Sequence, residues 1–441
     1  MTGGSRNWRH WLAFAALSAT YYAHAGMFGS YLPLWLQSIG FSVLSIGWLT
    51  ALQSVTRVFA PYLWGLLSDR SGNRVKWLRW CASSALMWCV GLFWARDAWG
   101  VSFLLLFLFS HTSGMMSMNE AAMAHLVSEG GQFDAKRYGR IRLCGSVGFM
   151  VSVFLAGAWF QGQGMATFPV WAIASLALLT LAAWCLPTLL EHETPSRTPA
   201  DNSAQNSLEA PTRALTEGAK RDASNSAAST RSVTMVSVTS VLRQPQVRWF
   251  LAALFFHVLA HMGLYVFFSL YLDALGYSKT QIGILWAVAV VVEIAWFFTQ
   301  GRWLPRFSLT GWLMLASVVA FFRMGFTALA GTSLWMMLLL QCLHGITFAA
   351  HHTACVALIS HYFPGALRGR GQAIYTLVGY GLTGVVGGTL GGVLVSAFGL
   401  ASVYWACSVS ALVGWYGAWR LWRLVHAPAV QRASESRGKQ P

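Results

Sequence analysis

Three charged residues stand inside long apolar stretches of this chain: Arg57, Glu293 and Arg323. Placing one ionisable side chain at membrane depth costs about 2.5 to 3.5 kcal/mol on insertion scales, so each needs a partner or water. An arginine can bind an anion through paired N–H groups, and a glutamate can take up and release a proton. The chemistry that these residues favour is therefore the movement of anions and protons. A structural salt bridge is the alternative, although a buried ion pair often adds no stability over apolar packing.

Two of these charges occupy equivalent positions of an internal repeat. Residues 22–70 recur without a gap as residues 258–306, so that Arg57 corresponds to Glu293. The copies agree at Leu34/Leu270, Leu36/Leu272, Gly40/Gly276, Ser42/Ser278, Ile46/Ile282, Gly47/Gly283, Leu49/Leu285, Ala51/Ala287, Gly65/Gly301 and Arg70/Arg306. A duplicated apolar unit in which an arginine and a glutamate have exchanged places indicates the interior of a transporter.

The composition predicts that these residues are positioned by membrane helices. Of 441 residues, 56% are hydrophobic and only 10% are charged, and the mean hydropathy is +0.52, which leaves too little polar surface for a water-soluble globule. Spans of about 20 residues are needed to cross the membrane. We predict an all-α membrane protein with twelve spans near 11–36, 43–67, 77–95, 99–123, 141–160, 168–187, 247–272, 281–300, 310–329, 334–360, 371–397 and 401–422.

The net charge of +16 could indicate nucleic-acid binding, but its distribution along the chain argues against this. With both termini in the cytoplasm, nearly all basic residues between the spans fall on the cytoplasmic side, and only Arg96 and Lys279 fall outside. This is the positive-inside pattern of membrane proteins. We therefore expect a multi-pass protein of the cell inner membrane with no nucleic-acid partner.

A polar segment divides the chain into two halves of six spans each. Residues 191–232 are rich in Ser, Ala, Thr and Asn and lack apolar periodicity, which predicts a disordered cytoplasmic linker, placed at 191–244. The expected organisation is an N-terminal half at 1–190, this linker, a C-terminal half at 245–424 and a cytoplasmic tail at 425–441. Since six is even, both halves enter the membrane in the same direction, as in transporters built from parallel repeats.

A charged loop after the second span carries the most specific motif. It reads Gly65-Leu-Leu-Ser-Asp69-Arg70-Ser-Gly72-Asn-Arg74 and resembles the G-x-x-x-D-R-x-G-R-R signature of the major facilitator superfamily. The resemblance implies a cytoplasmic gate, in which Gly65 allows a neighbouring helix to approach and Asp69 accepts hydrogen bonds from basic groups or helix amides. A merely solvated turn is the alternative. The second half keeps Gly301 and Arg306 but has Pro305 in place of the aspartate.

The segments around the fourth and fifth spans narrow the resemblance. Asn119-Glu120-Ala-Ala and the run from Tyr138 to Gly148 look like the lactose permease and phenylpropionic acid permease branch of that superfamily. The resemblance implies that Glu120 and Arg142 line the substrate site. It also implies that Glu293 faces Arg142 between the halves, and that Glu293, Arg323 and His344 act in substrate contact or proton coupling.

The tenth span departs from lactose permease on both sides of His344. Thr347 stands where lactose permease has a glutamate, and Gln341 stands where it has a lysine. The phenylpropionic acid permease branch also lacks the glutamate and resembles the segment from Val55 to Phe59 in the second span. These differences favour a carboxylate cargo over a sugar.

Histidines and glycines form two further patterns in the second half. His257 and His261 lie four residues apart on one helix face, a spacing that suits a metal, the polar wall of a cavity or an ordinary hydrogen-bonded interior. Because no Asp, Glu or Cys completes a ligand set nearby, we predict no metal. Gly384, Gly388 and Gly392 share one face of the eleventh span and permit close approach of another helix.

Together these patterns predict a secondary active transporter that uses alternating access. We expect proton-coupled uptake of a small organic anion such as an aromatic carboxylate, with Glu120, Arg142, Glu293, Arg323, His344 and Arg57 at the site. A proton-coupled sugar or nucleoside symporter and a non-transporting sensor are the alternatives. The chain lacks G-x-S-x-G, H-E-x-x-H, P-loop and Rossmann motifs, so we expect no enzyme and no cofactor, with a proton gradient as the energy source. No obligate protein partner is evident.

Overall fold

Every regular element of the described residues is a helix. The computed structural model describes residues 3–127, 135–187, 238–364 and 367–437. The first six long helices are α1 (Gly3–Ser38), α2 (Val43–Ser71), α3 (Arg74–Val90), α4 (Ala98–Val127), α5 (Ala135–Gln163) and α6 (Phe168–Trp184). The last six are α7 (Pro245–Ala274), α8 (Lys279–Trp303), α9 (Leu309–Ala330), α10 (Leu334–Tyr362), α11 (Arg368–Phe398) and α12 (Ala401–Arg437). The predicted all-α class is confirmed.

The bundle has the surface of a membrane protein. Among the described residues, nine helices are long and apolar enough to cross a bilayer, namely α2 and α4 to α11. Large apolar side chains remain exposed on the outside, for example Phe298 (72%), Leu329 (67%) and Trp335 (81%). Such a surface is stable against lipid and unfavourable in water. The protein is therefore a multi-pass membrane protein, and the number of twelve crossings stays a prediction.

A short helix lies within the predicted linker, and the last helix continues into the predicted tail. A short helix, Val238–Arg243, occupies the end of the predicted linker 191–244, and its Val241 is only 2% exposed because it packs into the apolar core. Helix α12 continues to Arg437, well past the predicted start of the tail at residue 425. The rest of the predicted linker, up to residue 237, lies outside the described residues.

The internal repeat builds the same turn twice. Gly40 has a φ of +95° and Gly276 a φ of +87°, a left-handed conformation that glycine adopts without steric cost. Two residues later, Ser42 and Ser278 precede α2 and α8, and each side chain accepts a hydrogen bond from the backbone amide three residues further on. The two copies therefore share these glycines and serines because the turn into the following helix requires them.

Hydrogen bonds join the two halves at one end of the bundle. We call this the far end, where α1 ends and α2 begins, and the opposite end, where α2 ends, the near end. The hydroxyl of Tyr31 on α1 lies 3.0 Å from the carbonyl oxygen of Val153 on α5 and 3.2 Å from that of Lys279 on α8. The Lys279 amide donates to Gln161 Oε1 over 2.8 Å. The far end is thus closed by contacts between α1, α5 and α8.

Glycines bring α2 and α11 together at the same end. A Cβ atom on Gly388 would lie 2.7 Å from the carbonyl oxygen of Gly47, and one on Gly47 would clash with the carbonyl oxygen of Gly388. Gly384 lies against the side chain of Ser54, and Gly392 against the backbone of Leu44. The close helix approach predicted for the glycine face of the eleventh span is confirmed, and the partner is α2.

At the corresponding glycines of the near end, the described residues make no such close contacts. A Cβ atom on Gly65 of α2 or on its repeat partner Gly301 of α8 would meet no atom of the described part of the chain within 4 Å. Gly65 is the residue for which the motif predicts a neighbouring helix. The structure is therefore one in which the halves are held together at the far end and not at these near-end positions.

We expect Tyr31→Phe to weaken the closure of the far end. The variant removes one buried hydroxyl that lies between two backbone carbonyls. The closed far end should lose about 1 kcal/mol of stabilisation, which lowers the ratio of closed to open conformations about fivefold. A cysteine in place of Leu44, in a background free of native cysteines, should react about fivefold faster with a water-soluble maleimide. Tyr62→Phe is the matched control, because Tyr62 is 76% exposed. Equal labelling rates in both variants would show that Tyr31 does not hold the far end.

Candidate functional site

Three helices of the second half are interrupted by π-helical turns at one polar cavity. The turns are Gly263–Phe267 in α7, Gly345–Ala350 in α10 and Leu377–Leu382 in α11. The cavity between these helices has a volume of about 10 Å³, enough for about one water molecule. It is lined by His257, Val258, His261, Tyr265, Thr347, Phe348, His351, His352, Tyr375 and Tyr380. Turns of this kind are frequent at functional sites, which makes the cavity the candidate site.

Arg323 lies behind the wall of this cavity and is only 1% exposed. Its guanidinium donates to Gln341 Oε1 over 2.8 Å, to Thr347 Oγ1 over 2.8 Å and to His344 Nδ1 over 3.1 Å. All three partners lie on α10, and none is a carboxylate. Hydrogen bonds therefore satisfy the N–H groups of Arg323, but none of these three partners carries a negative charge that would balance its positive charge.

The hydrogen bond from Arg323 also determines which ring nitrogen of His344 carries a proton. Because the guanidinium donates to Nδ1, this nitrogen accepts a hydrogen bond and carries no proton. The ring stacks on Phe348 with centroids 5.0 Å apart. His344 can therefore bind an additional proton at Nδ1 only after the contact with Arg323 is broken.

His257 connects α7 to α9 and α10. Its Nε2 lies 2.7 Å from the carbonyl oxygen of Thr347 and must donate, so that its Nδ1 accepts from the Ser317 hydroxyl at 2.9 Å. The ring stacks on His351 with centroids 3.6 Å apart. His257 thus lines the cavity and is also a buried histidine with both ring nitrogens hydrogen-bonded, which agrees with two of the three alternatives that the sequence leaves open.

Metal binding finds no support at these histidines. No group of three or more His, Cys, Asp or Glu side chains in the described ranges is arranged to hold a metal ion. Both ring nitrogens of His257 already have partners, as stated above. A second pair of histidines, His351 and His352, lies on α10. His352 Nδ1 lies 2.8 Å from the hydroxyl of Tyr375, and that hydroxyl lies 3.4 Å from the hydroxyl of Tyr380.

The two oppositely charged repeat positions lie on helices that pack against the π-helical turns. Arg57 on α2 is exposed, and Glu293 on α8 is partly exposed. Helix α2 packs against the turn Leu377–Leu382 of α11, and α8 packs against the turn Gly345–Ala350 of α10. The equivalence of Arg57 and Glu293 therefore has a structural counterpart, since a cationic residue from one half and an acidic residue from the other lie on helices that border these turns.

Several predicted site residues can be placed only by their helix. Glu120 lies on α4, Arg142 on α5 and Asp69 on α2, and their side chains are outside the described part of the structure. Helix α8, which carries Glu293, packs against α5, which carries Arg142. The predicted contact between Glu293 and Arg142 thus stays a prediction.

The remaining gate residues form the turn between α2 and α3. Arg70 is exposed in the last turn of α2, and Gly72 ends this helix in the left-handed conformation with a φ of +65°. Asn73 then caps α3, whose first residue is Arg74, by accepting a hydrogen bond from the Lys76 amide. The second glycine of the motif is thus explained by helix termination, and the gating role of the motif stays a prediction.

Sequence reasoning missed Tyr265, Tyr375 and Tyr380, which line the cavity, and Ser317, which holds His257 from behind. The only sequence signal for their positions is a glycine at or within each π-helical turn, at 263, 345 and 379, where regular helix is less favoured. In the sequence, Gln341 and Thr347 stand out only as departures from lactose permease. The structure adds that these two residues are direct partners of Arg323.

An all-helical membrane bundle, closed at one end and with a polar cavity between its helices, defines the class as a membrane transporter. The chain belongs to the MFS_1-like family, whose pattern matches residues 14–406. It is therefore a transporter of the major facilitator kind and not an enzyme, in agreement with the motif resemblance.

Relatives and solved structures agree with this class. The chain is 26% identical over 406 residues to the probable 3-phenylpropionic acid transporter of Escherichia coli strain K12, covering 91% of this chain and 95% of that protein. It is 26% identical over 397 residues to the maltose permease of Geobacillus stearothermophilus, covering 88% and 89%. The nucleoside transporter NupG has the same fold with a TM-score of 0.71 at 13% identity, covering 94% of this chain and 99% of that chain.

Proposed function

We propose that this transporter takes up a small aromatic carboxylate together with a proton across the cell inner membrane. The observation that carries the proposal is the buried guanidinium of Arg323 behind the cavity wall, whose three hydrogen-bond partners are all neutral. An exposed guanidinium can bind a carboxylate through two parallel hydrogen bonds. The aromatic rings of Tyr265 and Tyr380 supply a surface for an aromatic ring.

The charges around the cavity support an anionic cargo. Arg323 brings a buried positive charge that its neutral partners do not cancel, and Arg57 adds a second. Arg57 is the better candidate for direct contact, because it is exposed whereas Arg323 is enclosed by α10. Arg323 then acts through its positive potential on the site. A similar cargo is named for the Escherichia coli relative.

Glu293 is the proposed proton carrier. It is partly exposed, so that water can deliver a proton to it, and it is the repeat counterpart of the cationic Arg57. Arrival of a carboxylate at Arg57 weakens the attraction between Arg57 and Glu293, which favours protonation of Glu293 in the loaded transporter. The near end is then the cytoplasmic end, with both chain termini on that side.

A proton-coupled sugar or nucleoside symporter is the competing function. The relative from Geobacillus stearothermophilus is a maltose permease with the same identity of 26%. In that function, Glu293 and the tyrosine hydroxyls would bind cargo hydroxyls. A sensor that binds its ligand without transport is the third possibility.

Uptake into proteoliposomes separates these functions. The purified full-length chain is reconstituted and given an imposed proton gradient with labelled 3-phenylpropionate, maltose or a nucleoside. We expect 3-phenylpropionate to accumulate and the collapse of the gradient by an ionophore to stop accumulation. Accumulation of maltose or nucleoside alone would establish the competing function, and binding without accumulation of any compound would indicate a sensor.

A further inference from the structure

One nitrogen in the wall of the cavity has no partner. His261 is 2% exposed, and its Nδ1 lies 3.0 Å from the carbonyl oxygen of His257, to which it must donate. No atom of the described residues forms a hydrogen bond with His261 Nε2, although this atom is buried. A buried polar atom without a partner is rare in native structures and requires an explanation.

The free nitrogen is an acceptor. The proton on Nδ1 leaves Nε2 with a lone pair as long as the ring is neutral. No described carboxylate is paired with His261, and an unpaired charge at this burial would cost far more than a neutral ring. His261 therefore offers one hydrogen-bond acceptor at a cavity whose wall also contains Tyr265 and Tyr380.

From this geometry we infer that His261 Nε2 accepts a hydrogen bond from a hydroxyl group of the cargo. The inference rests on the proposed function and narrows its substrate class to aromatic carboxylates that carry a ring hydroxyl. The carboxylate binds Arg57, and the hydroxyl at the other end of the molecule reaches His261. A cargo that lacks the hydroxyl fills the site without satisfying the buried acceptor, and for that reason binds more weakly.

The cavity is small in this conformation, and its size fits this role. About 10 Å³ holds one water-sized group, which matches a single hydroxyl and not a whole aromatic acid. Tyr265 and Tyr380 line the same cavity and offer aromatic faces to the ring of the cargo. The hydroxyl alone then enters the space next to His261.

The test compares acids that differ by one oxygen atom. Binding and uptake of 3-phenylpropionate and its ortho-, meta- and para-hydroxyphenyl analogues are measured with the wild type and with His261→Phe and His261→Gln. We expect the wild type to prefer at least one hydroxylated isomer by about tenfold, as for one buried hydrogen bond. His261→Phe should reduce this preference to about one while binding of 3-phenylpropionate persists, and His261→Gln, which restores an acceptor, should regain part of it.

The control is another buried histidine with the same local hydrogen bond. His111 on α4 has Nδ1 2.6 Å from the carbonyl oxygen of Phe107, four residues earlier, and its ring packs on Trp64 and Trp80 away from the cavity. His111→Phe should leave the preference for the hydroxylated acid unchanged. Thermal unfolding of each variant shows whether it is folded.

Two results would overturn the inference in distinguishable ways. If the acids are transported but the wild type does not discriminate between them, or if His261→Phe discriminates as well as the wild type, the role of His261 is refuted and the proposed function survives. If none of the acids binds or accumulates, the proposed function fails, and the inference fails with it.

Discussion

Glu293→Gln should abolish the accumulation of cargo that a proton gradient drives, while exchange of cargo across the membrane continues. The amide keeps the size and hydrogen-bonding capacity of the side chain but cannot carry a proton. If one proton moves with each monovalent anion, a gradient of one pH unit supplies about 1.4 kcal/mol and concentrates the cargo about tenfold. The variant should reach a concentration ratio of about one under the same gradient.

The measurement follows labelled 3-phenylpropionate in proteoliposomes, first with an imposed pH gradient and then with unlabelled cargo inside and no gradient. Asp97→Asn is the control, since Asp97 is exposed and an asparagine can keep its hydrogen bond to the Gly100 amide. Tenfold accumulation by Glu293→Gln would remove Glu293 from proton coupling. Loss of exchange as well as accumulation would assign it to cargo binding instead.

The second large effect is expected from Gly388→Val on α11. The first added atom would lie 2.7 Å from the carbonyl oxygen of Gly47 and 3.1 Å from Cβ of Ala51, so that α2 and α11 must separate at the far end. Overpacking of this kind costs about 1 to 3 kcal/mol, or about 5-fold to 150-fold in the population of the conformation described above. Uptake should fall by a similar factor, because the transporter can no longer close its far end.

Gly65→Val is expected to shift the conformations in the opposite direction. Its added atoms meet open space in the present structure but would obstruct helix approach at the near end. A cysteine replacing Leu44 should react faster with maleimide in Gly388→Val and more slowly in Gly65→Val. Gly29→Val is the control, since Gly29 is exposed and a Cβ there also meets no atom within 4 Å. Identical labelling in all three variants would argue against an alternation between the two ends.

The class of fold was predictable from the sequence because the bilayer imposes a strong constraint on composition. Apolar runs of membrane-spanning length gave the helices, and Gly40, Ser42, Gly276 and Ser278 marked the same turn in both copies of the repeat. The glycine face of α11 was also readable, because only residues without side chains permit such close packing. Its partner was not, since spacing along one helix does not identify the neighbour.

The candidate site was predictable in its residue types and not in its contacts. Arg323 and His344 are notable as polar residues in apolar runs, and in the structure Arg323 Nη1 lies 3.1 Å from His344 Nδ1. The partners Gln341 and Thr347 could be noticed only as differences from a resembling family. Tyr265 and Tyr380 carry no sequence signal of their own, because tyrosines are common in membrane proteins at many positions.

The π-helical turns have a mechanical consequence for the cavity. In the described residues all three occur in α7, α10 and α11, and all three border the cavity. Each holds one residue more than an α-helical turn, so moving the extra residue along the helix rotates the intervening side chains by about 100° without moving the helix ends. The side chains around the cavity can thus turn to new positions while the ends of the three helices stay in place.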